Sequence, residues 1–330
     1  MAVAALIVEE LKHYSGKNSR SQRKRFSDLI QNPDVVYLKT TITNMLRSQI
    51  KTLLLASLLA VSITACNAAE PGQDIAPGVR LLGYIRDPRI KESSGVIASR
   101  QYGDVFWTHN DGGGPKKQVL YAIDREGNTR AFFYVIDVTL HDWEDIAIDD
   151  AGHLYIGDTG NNDAKRDTLA VYEIDEPNPQ AGTGSIAPKR VWKLKFPETP
   201  FDCEGLFVWK DQGYVVSKVF DKEHARIFRF PLKETNEPLT LELVATTKIE
   251  SPVTGADISA DGTLLGLVAK NGAYVFRING DVTRVSNTNP HHTKLKNEHI
   301  EGCCFVRQGL LATSERRMIF LFTDPTFRRH

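Results

Sequence analysis

Five oxygen-bearing residues recur through this chain of 330 residues at an almost even spacing. They are Ser94, Glu144, Glu204, Thr254 and Glu301, separated by steps of 50, 60, 50 and 47 residues. Each sits in a copy of one phrase: ESSGVIAS, DWEDIAI, DCEGLFV, VTGADIS and IEGCCFV. Side chains at equivalent places in a closed repeat face a common centre. Three carboxylates gathered there, partly out of water, repel one another and must take up protons or a cation. A set of Glu, Ser and Thr, with carbonyls and water, suits a hard ion such as calcium, whereas zinc favours His and Cys. The alternative is that these residues cap strands through backbone hydrogen bonds without any ion.

The elements that must position them follow from the same repeat. A glycine lies 9, 8, 9, 8 and 8 residues after each anchor, at Gly103, Gly152, Gly213, Gly262 and Gly309, where a tight hairpin turn would use it. A second strand follows each turn (VFWTHN, LYIGD, YVVSK, LLGLVAK, LLATSE), then a third (VLYAID, LAVYEID, RIFRFPL, AYVFRIN, MIFLFTD). Outer strands are read at RLLGYI (80–85), AFFYVID (131–137), RVWKLKF (190–196), LELVATT (241–247) and VTRVSNT (282–288). β-branched and aromatic residues dominate these segments. An all-strand repeat of this period predicts an all-β, five-bladed β-propeller of four-stranded antiparallel blades over 79–330. The N-terminal strand 80–85 closes the last blade by pairing with 318–324, which removes open edges.

Loops leading into the anchors and loops leaving the second strands must share one face. They bring Glu92, His141, Asp142, Asp202, Glu298 and His299 on one side of each anchor hairpin, and His109, Asn110, Asp111, Asp158, Asn161, Asn162, Lys218, Lys270 and Arg316 on the other. Acids and amides come mainly from the first two repeats and cations from the last three. A bipolar small ligand, or a phosphate ester bridged by metal, fits that division. His109, Asn110, Asn161, Lys218, Lys270 and Arg316 are the candidate ligand-binding residues, and Asp111 and Asp158 the candidates for orienting water. Trp143 is expected between blades, and His291 and His292 in a solvated loop. Gly112–Gly114 is no phosphate loop, because no GKS or GKT follows; GxSxG and HExxH are absent.

The order Ser, Glu, Glu, Thr, Glu resembles the axial calcium site of the calcium-dependent nucleotidase (apyrase) family, five-bladed propellers whose inner strands offer Ser, Glu, Glu, Ser and Glu. The resemblance implies calcium as cofactor at Ser94, Glu144, Glu204, Thr254 and Glu301. Thr254 departs from a serine, and Gly95 stands where that family has an acidic residue, which removes a ligand. The series ESSGVIAS, THNDGGG, DWEDIAI and LYIGDTGNN is similar to that of secreted bacterial β-propeller lipoproteins, a resemblance that implies no common activity. Two functions follow as expectations: a binding or scaffolding lipoprotein, or a calcium-dependent phosphoester hydrolase of the nucleotide type. Fold alone does not choose between them.

The chain has 41 basic and 41 acidic side chains, but residues 1–65 hold nine Lys or Arg and four Asp or Glu, leaving the remainder with 32 against 37. A mildly acidic body argues against nucleic acid as partner. From Met45 a basic start (Arg47, Lys51), an apolar run to Ile63 and the ending Ile63-Thr64-Ala65-Cys66 read as a lipoprotein signal peptide over 45–65, too short to span a bilayer. Cys66 is then the lipidated residue and 66–78 a tether. Asn67 after it favours the outer membrane by resemblance to that lipoprotein class. Residues 1–44 read as an extension ahead of the true start. Cys203, Cys303 and Cys304 are expected as buried free thiols. Cys66→Ser is expected to move the protein out of the membrane fraction, measured by fractionation and by the mass of the mature chain; unchanged processing would refute the anchor.

Overall fold

The computed structural model describes residues 69–220 and 224–323, together with Gln31. Apart from Gln31, the extension 1–44, the leader 45–65 and Cys66 lie outside the described residues. Contacts divide the chain into Met1–Ala68 and Ala69–His330, and the second unit contains the propeller.

Two strands, β1 (Asp74–Ala76) and β2 (Val79–Tyr84), precede the first anchor. The first blade comprises β3 (Ser93–Ala98), β4 (Phe106–Asn110), β5 (Val119–Ile123) and β6 (Thr129–Val135). The second comprises β7 (Trp143–Ile148), β8 (His153–Asp158), β9 (Thr168–Asp175) and, after β10 (Gly184–Ile186), β11 (Arg190–Lys195). The third comprises β12 (Cys203–Trp209), β13 (Gln212–Ser217), β14 (Arg226–Pro231) and, after β15 (Leu239–Thr240), β16 (Glu242–Thr246). The fourth is β17 (Val253–Ile258), β18 (Leu264–Ala269), β19 (Gly272–Arg277) and β20 (His291–Lys294). The fifth is β21 (Ile300–Val306), β22 (Gly309–Ser314) and β23 (Met318–Phe322), completed by β2.

That completion is antiparallel and runs from Val79 opposite Phe322 to Tyr84 opposite Met318. The inner strands form a closed circuit, β3 on β7, β7 on β12, β12 on β17, β17 on β21, and β21 back on β3. The architecture is thus a five-bladed β-propeller. Buried aromatics fill the spaces around the strands, with Trp107, Trp143, Trp192 and Phe207 all fully enclosed. Cys203, Cys303 and Cys304 are buried and free.

Three details differ from the sequence expectation. Residues 282–287 form a 3-10 helix, because Asp281 accepts the Thr283 N–H at 3.0 Å and starts a turn where a strand was expected. The outer strand of blade four is therefore β20, in which His292 lies opposite Tyr274 and stacks on its ring at 4.0 Å. Two hairpins place a non-glycine residue in the left-handed region, Asp104 (φ 55°) and Lys210 (φ 55°), rather than Gly103 and Gly213. Short extra strands also cover blade edges: β10 runs parallel to β6, β15 parallel to β11, and β1 antiparallel to β2. Part of the expected tether is therefore inside a sheet, and Tyr84 Oη donates to the Ala69 carbonyl at 2.8 Å.

The circuit depends on β2, whose Leu81 is fully buried against the fifth blade. Leu81→Ala is expected to cost about 2–5 kcal/mol, read as a lowered urea midpoint. Deletion through Ile85 is expected to abolish cooperative unfolding. Wild-type stability in either variant would show that blade five closes without β2.

Candidate functional site

Every inner strand carries a register shift at its anchor, between Ser93 and Val96, Trp143 and Asp145, Cys203 and Gly205, Val253 and Gly255, and Ile300 and Cys303. A bulge re-aims a side chain that a regular strand would direct into a neighbouring sheet. Ser94, Glu144, Glu204 and Glu301 consequently line one cavity of about 150 Å³ at the end of the axis where the inner strands begin. Ser94 Oγ donates to the Glu144 carbonyl at 2.7 Å and so ties β3 to β7. Thr254 is outside the lining; its Oγ1 donates to the Ile300 carbonyl at 2.8 Å, tying β17 to β21.

A second ring stands around the first. The residues immediately after the second strands are Asp111, Thr159, Lys218, Lys270 and Glu315, and all but Thr159 line the cavity. Glu92 from the loop before β3 completes it. Sequence reasoning missed Glu315, although it occupies the same place in its repeat as Asp111, Lys218 and Lys270. Lys218 Nζ donates to Glu204 Oε1. Burial alone would lower the ammonium's pKa, yet Glu204 beside it turns the net effect upward.

The acids pay heavily for their crowding. Burial, with Glu204 nearby, pushes Glu301 up to about 9, and burial pushes Glu204 up to about 7 even with Lys218 opposing. Glu144 is raised well above the usual range by burial and then by Glu204, Asp111, Asp142 and Asp202. Burial likewise raises Asp111, Asp142 and Asp202. Two tight triplets stand out among the described residues: Asp111, Asp142 and Glu144, and Glu144, Asp202 and Glu204, each offering oxygens within 4.8 Å of one another. Glu301 belongs to neither. Asp202 Oδ1 accepts the Asn161 N–H at 2.7 Å, while its Oδ2 is buried without a hydrogen-bond partner. An all-oxygen donor set with an orphaned carboxylate oxygen fits a metal ion, and this cluster could hold one.

Other predicted site residues stand in the walls. His109 is fully buried, stacks on Trp143 at 4.0 Å, and is pushed down to about 3 by burial. Asn110 accepts from the Lys91 and Glu92 N–H groups and donates to the Arg89 carbonyl, which shapes the loop before β3. Asp158 accepts from the His141 and Asp142 N–H groups and pairs with Arg166 at 3.0 Å. Asn161 closes its own loop through the Arg166 backbone. Arg316 is outside the lining, with its Nη1 3.9 Å from Glu298. Asp111, Lys218 and Lys270 are the candidates that the structure brings to the anchors.

Gly95 has a steric cause: a Cβ there would lie 2.6 Å from His109 Nε2 and 2.8 Å from Asp145 Oδ1. A second cavity, about 190 Å³ at the hairpin-turn end and lined by Arg100, Asp149, Trp209 and Lys210 among others, collects no carboxylate triplet.

No family model matches the chain, and no curated protein matches it in sequence. Among solved structures, that of the major Malassezia sympodialis allergen Mala s 1 superposes with a TM-score of 0.50 at 10% identity, covering 75% of this chain and 97% of that one. The Dos1 propeller gives 0.35 at 10% identity (67% of this chain, 53% of that one), and a putative gluconolactonase gives 0.41 at 14% identity (72% and 76%). At these identities the first likeness speaks to the fold alone, and the chemistry must be argued from this chain's own residues.

Proposed function

We propose that the protein is a calcium-binding propeller of the bacterial cell envelope, whose well holds the ion and presents it to a small ligand. The supporting observation is the cavity of about 150 Å³ lined by six carboxylates, two lysines and Ser94. It is smaller than the roughly 300–1,000 Å³ usual for drug-sized ligands, so it suits an ion, its waters and the tip of a ligand. Glu144, Asp111 and Asp142 would hold the ion, with Ser94, Glu204 and Glu301 around it. Calcium is favoured over zinc because, among the described residues, no His or Cys lines the well. The lipid anchor at Cys66 and the outer-membrane location belong to the same proposal and rest on the sequence.

A second reading, calcium-dependent phosphoester hydrolysis, is favoured by Lys218 and Lys270 sharing the well with Asp111. Bound calcium would neutralise phosphoryl oxygens. The lysines would orient the phosphate, and Asp111 would orient the attacking water. A panel of nucleotides and simpler phosphate esters, assayed with calcium and with chelator, decides between the readings: calcium-dependent turnover lost in Lys270→Met supports hydrolysis, and no turnover leaves binding.

Calcium is expected to raise the melting temperature of chelator-treated protein, by mass action on the folded state alone, about 2.7 kcal/mol at 100 times Kd. Glu204→Gln is expected to reduce that response. Asp149→Asn, at a carboxylate already engaged by His153 and Tyr155, is expected to leave it. Identical melting curves with calcium and with chelator would refute the ion.

The pH dependence carries a sign. Without metal, Glu204 and Glu301 keep protons up to about 7 and about 9, whereas unfolded glutamate loses them near 4.5. The folded chain thus binds more protons across that window, so its stability falls as pH rises through it. Urea midpoints from about pH 5 to about pH 9 are expected to decline in chelator, and to decline less in saturating calcium or in Glu301→Gln.

A further inference from the structure

We infer a second cation position, buried behind the wall of the well between blades two and three and held by Glu144, Asp202 and Glu204. This deepens the proposed calcium reading, since both positions share Glu144. One oxygen from each of the three residues lies within 4.8 Å of the others, a spread that oxygens bound at about 2.4 Å to one calcium can have.

The independent observation is Asp202. It is 8% exposed and belongs to a triplet whose three members are all buried, whereas Asp111 and Asp142 of the other triplet are only half-buried. Its Oδ1 is satisfied by the Asn161 N–H at 2.7 Å, and its Oδ2 is buried with no hydrogen-bond partner. Buried polar atoms nearly always have partners, so an orphaned oxygen asks for a proton or a cation. Among the described residues no neighbouring cation bonds to it, and the charge of Lys218 only partly offsets the rise that burial causes in its pKa. Lys218 bonds to Glu204 Oε1, leaving Oε2, and Arg166 is directed to Asp158 and to the Asp158 and Gly160 carbonyls.

Gly160 shapes the neighbouring triplet, which shares Glu144. A Cβ at that position would collide with Glu144 Oε1 and Asp142 Oδ2, so only glycine lets the loop after β8 close over both carboxylates. The triplet of Asp111, Asp142 and Glu144 borders the well through Asp111 and Glu144, and the more buried one through Glu144 and Glu204, while its Asp202 joins the loop at Asn161 to the start of β12. A hard divalent ion of the calcium class suits the buried triplet, where it fastens blade two to blade three. It takes no part in ligand contact.

The test is a titration of the metal-stripped, full-length protein with calcium chloride alone, followed by calorimetry and by metal analysis of the desalted protein. Wild type is expected to bind two ions per chain. Asp202→Asn keeps an acceptor for the Asn161 amide and is expected to bind one. Asp111→Asn is expected to keep the buried ion and to weaken the other at least tenfold. One ion in wild type, or two in Asp202→Asn, overturns the second position. If wild type binds one ion that Asp111→Asn weakens and Asp202→Asn does not, the second position alone fails; if it binds none, the calcium reading fails with it. Should Asp202→Asn not fold, the counts for wild type and Asp111→Asn decide.

Discussion

One buried carboxylate organises the axis on which everything else depends. Asp145, fully enclosed, accepts the Ile146 and Leu206 N–H groups at 2.8 Å each and the Ala256 N–H at 3.2 Å. It thereby joins the inner strands of blades two, three and four through a single side chain. Burial raises its carboxyl and the three N–H groups oppose that rise, so the residue is tolerable only while all three strands are in place. The positions equivalent to it in the other blades are Gly95, Gly205, Gly255 and Gly302. A Cβ at Gly95 would meet Asp145 Oδ1 at 2.8 Å, and one at Gly302 would meet the Val96 nitrogen at 2.6 Å. Gly95 makes room for that carboxylate, and the other three let neighbouring inner strands approach closely.

The acidic well follows from the same geometry. A bulge that ends regular pairing in each inner strand sends the residue before each of these positions toward the open end of the axis, where Ser94, Glu144, Glu204 and Glu301 collect. The propeller holds those groups together mechanically, through strand pairing and interblade packing, so their burial, and after it their mutual repulsion, appears as raised carboxyl pKa values instead of as separation. The hydroxyls of Ser94 and Thr254 contribute on the other side of the balance, each bonding a carbonyl of the next blade. Both hydroxyls thus make the backbone bonds that the capping alternative expects, while Glu144 and Glu204 belong to a cluster that could hold an ion.

The fold was legible because a repeat is redundant information. Five imperfect copies of anchor, turn and second strand locate the blades even where one copy is poor, and the absence of an outer partner for 318–322 identifies β2 as the closing strand. Legibility failed where local hydrogen bonding competes with strand formation. Asp281 caps a 3-10 turn through its own side chain, and no strand pattern in 282–288 was strong enough to outweigh that. β10 and β15 were invisible because two or three residues carry no periodicity.

The sequence by itself determined which residues recur at equivalent positions around a closed repeat, whereas only the structure decided that Ser94, Glu144, Glu204 and Glu301 line the well and Thr254 turns to the Ile300 carbonyl. The sequence also offered Asp111, Lys218 and Lys270 and, unread, Glu315 at the same place in its repeat. Only the tertiary structure decided which polar residues of the loops reach that well and which are consumed in building it. His109, Asn110, Asp158 and Asn161 look like Lys218 and Asp111 in the sequence, being polar, adjacent to strand ends and on the same face. Their hydrogen bonds to Asn110, Lys91, His141 and Arg166 backbone atoms depend on loop paths that spacing does not encode, and Asp202's unpaired oxygen exists only because Asn161, 41 residues earlier, takes the other.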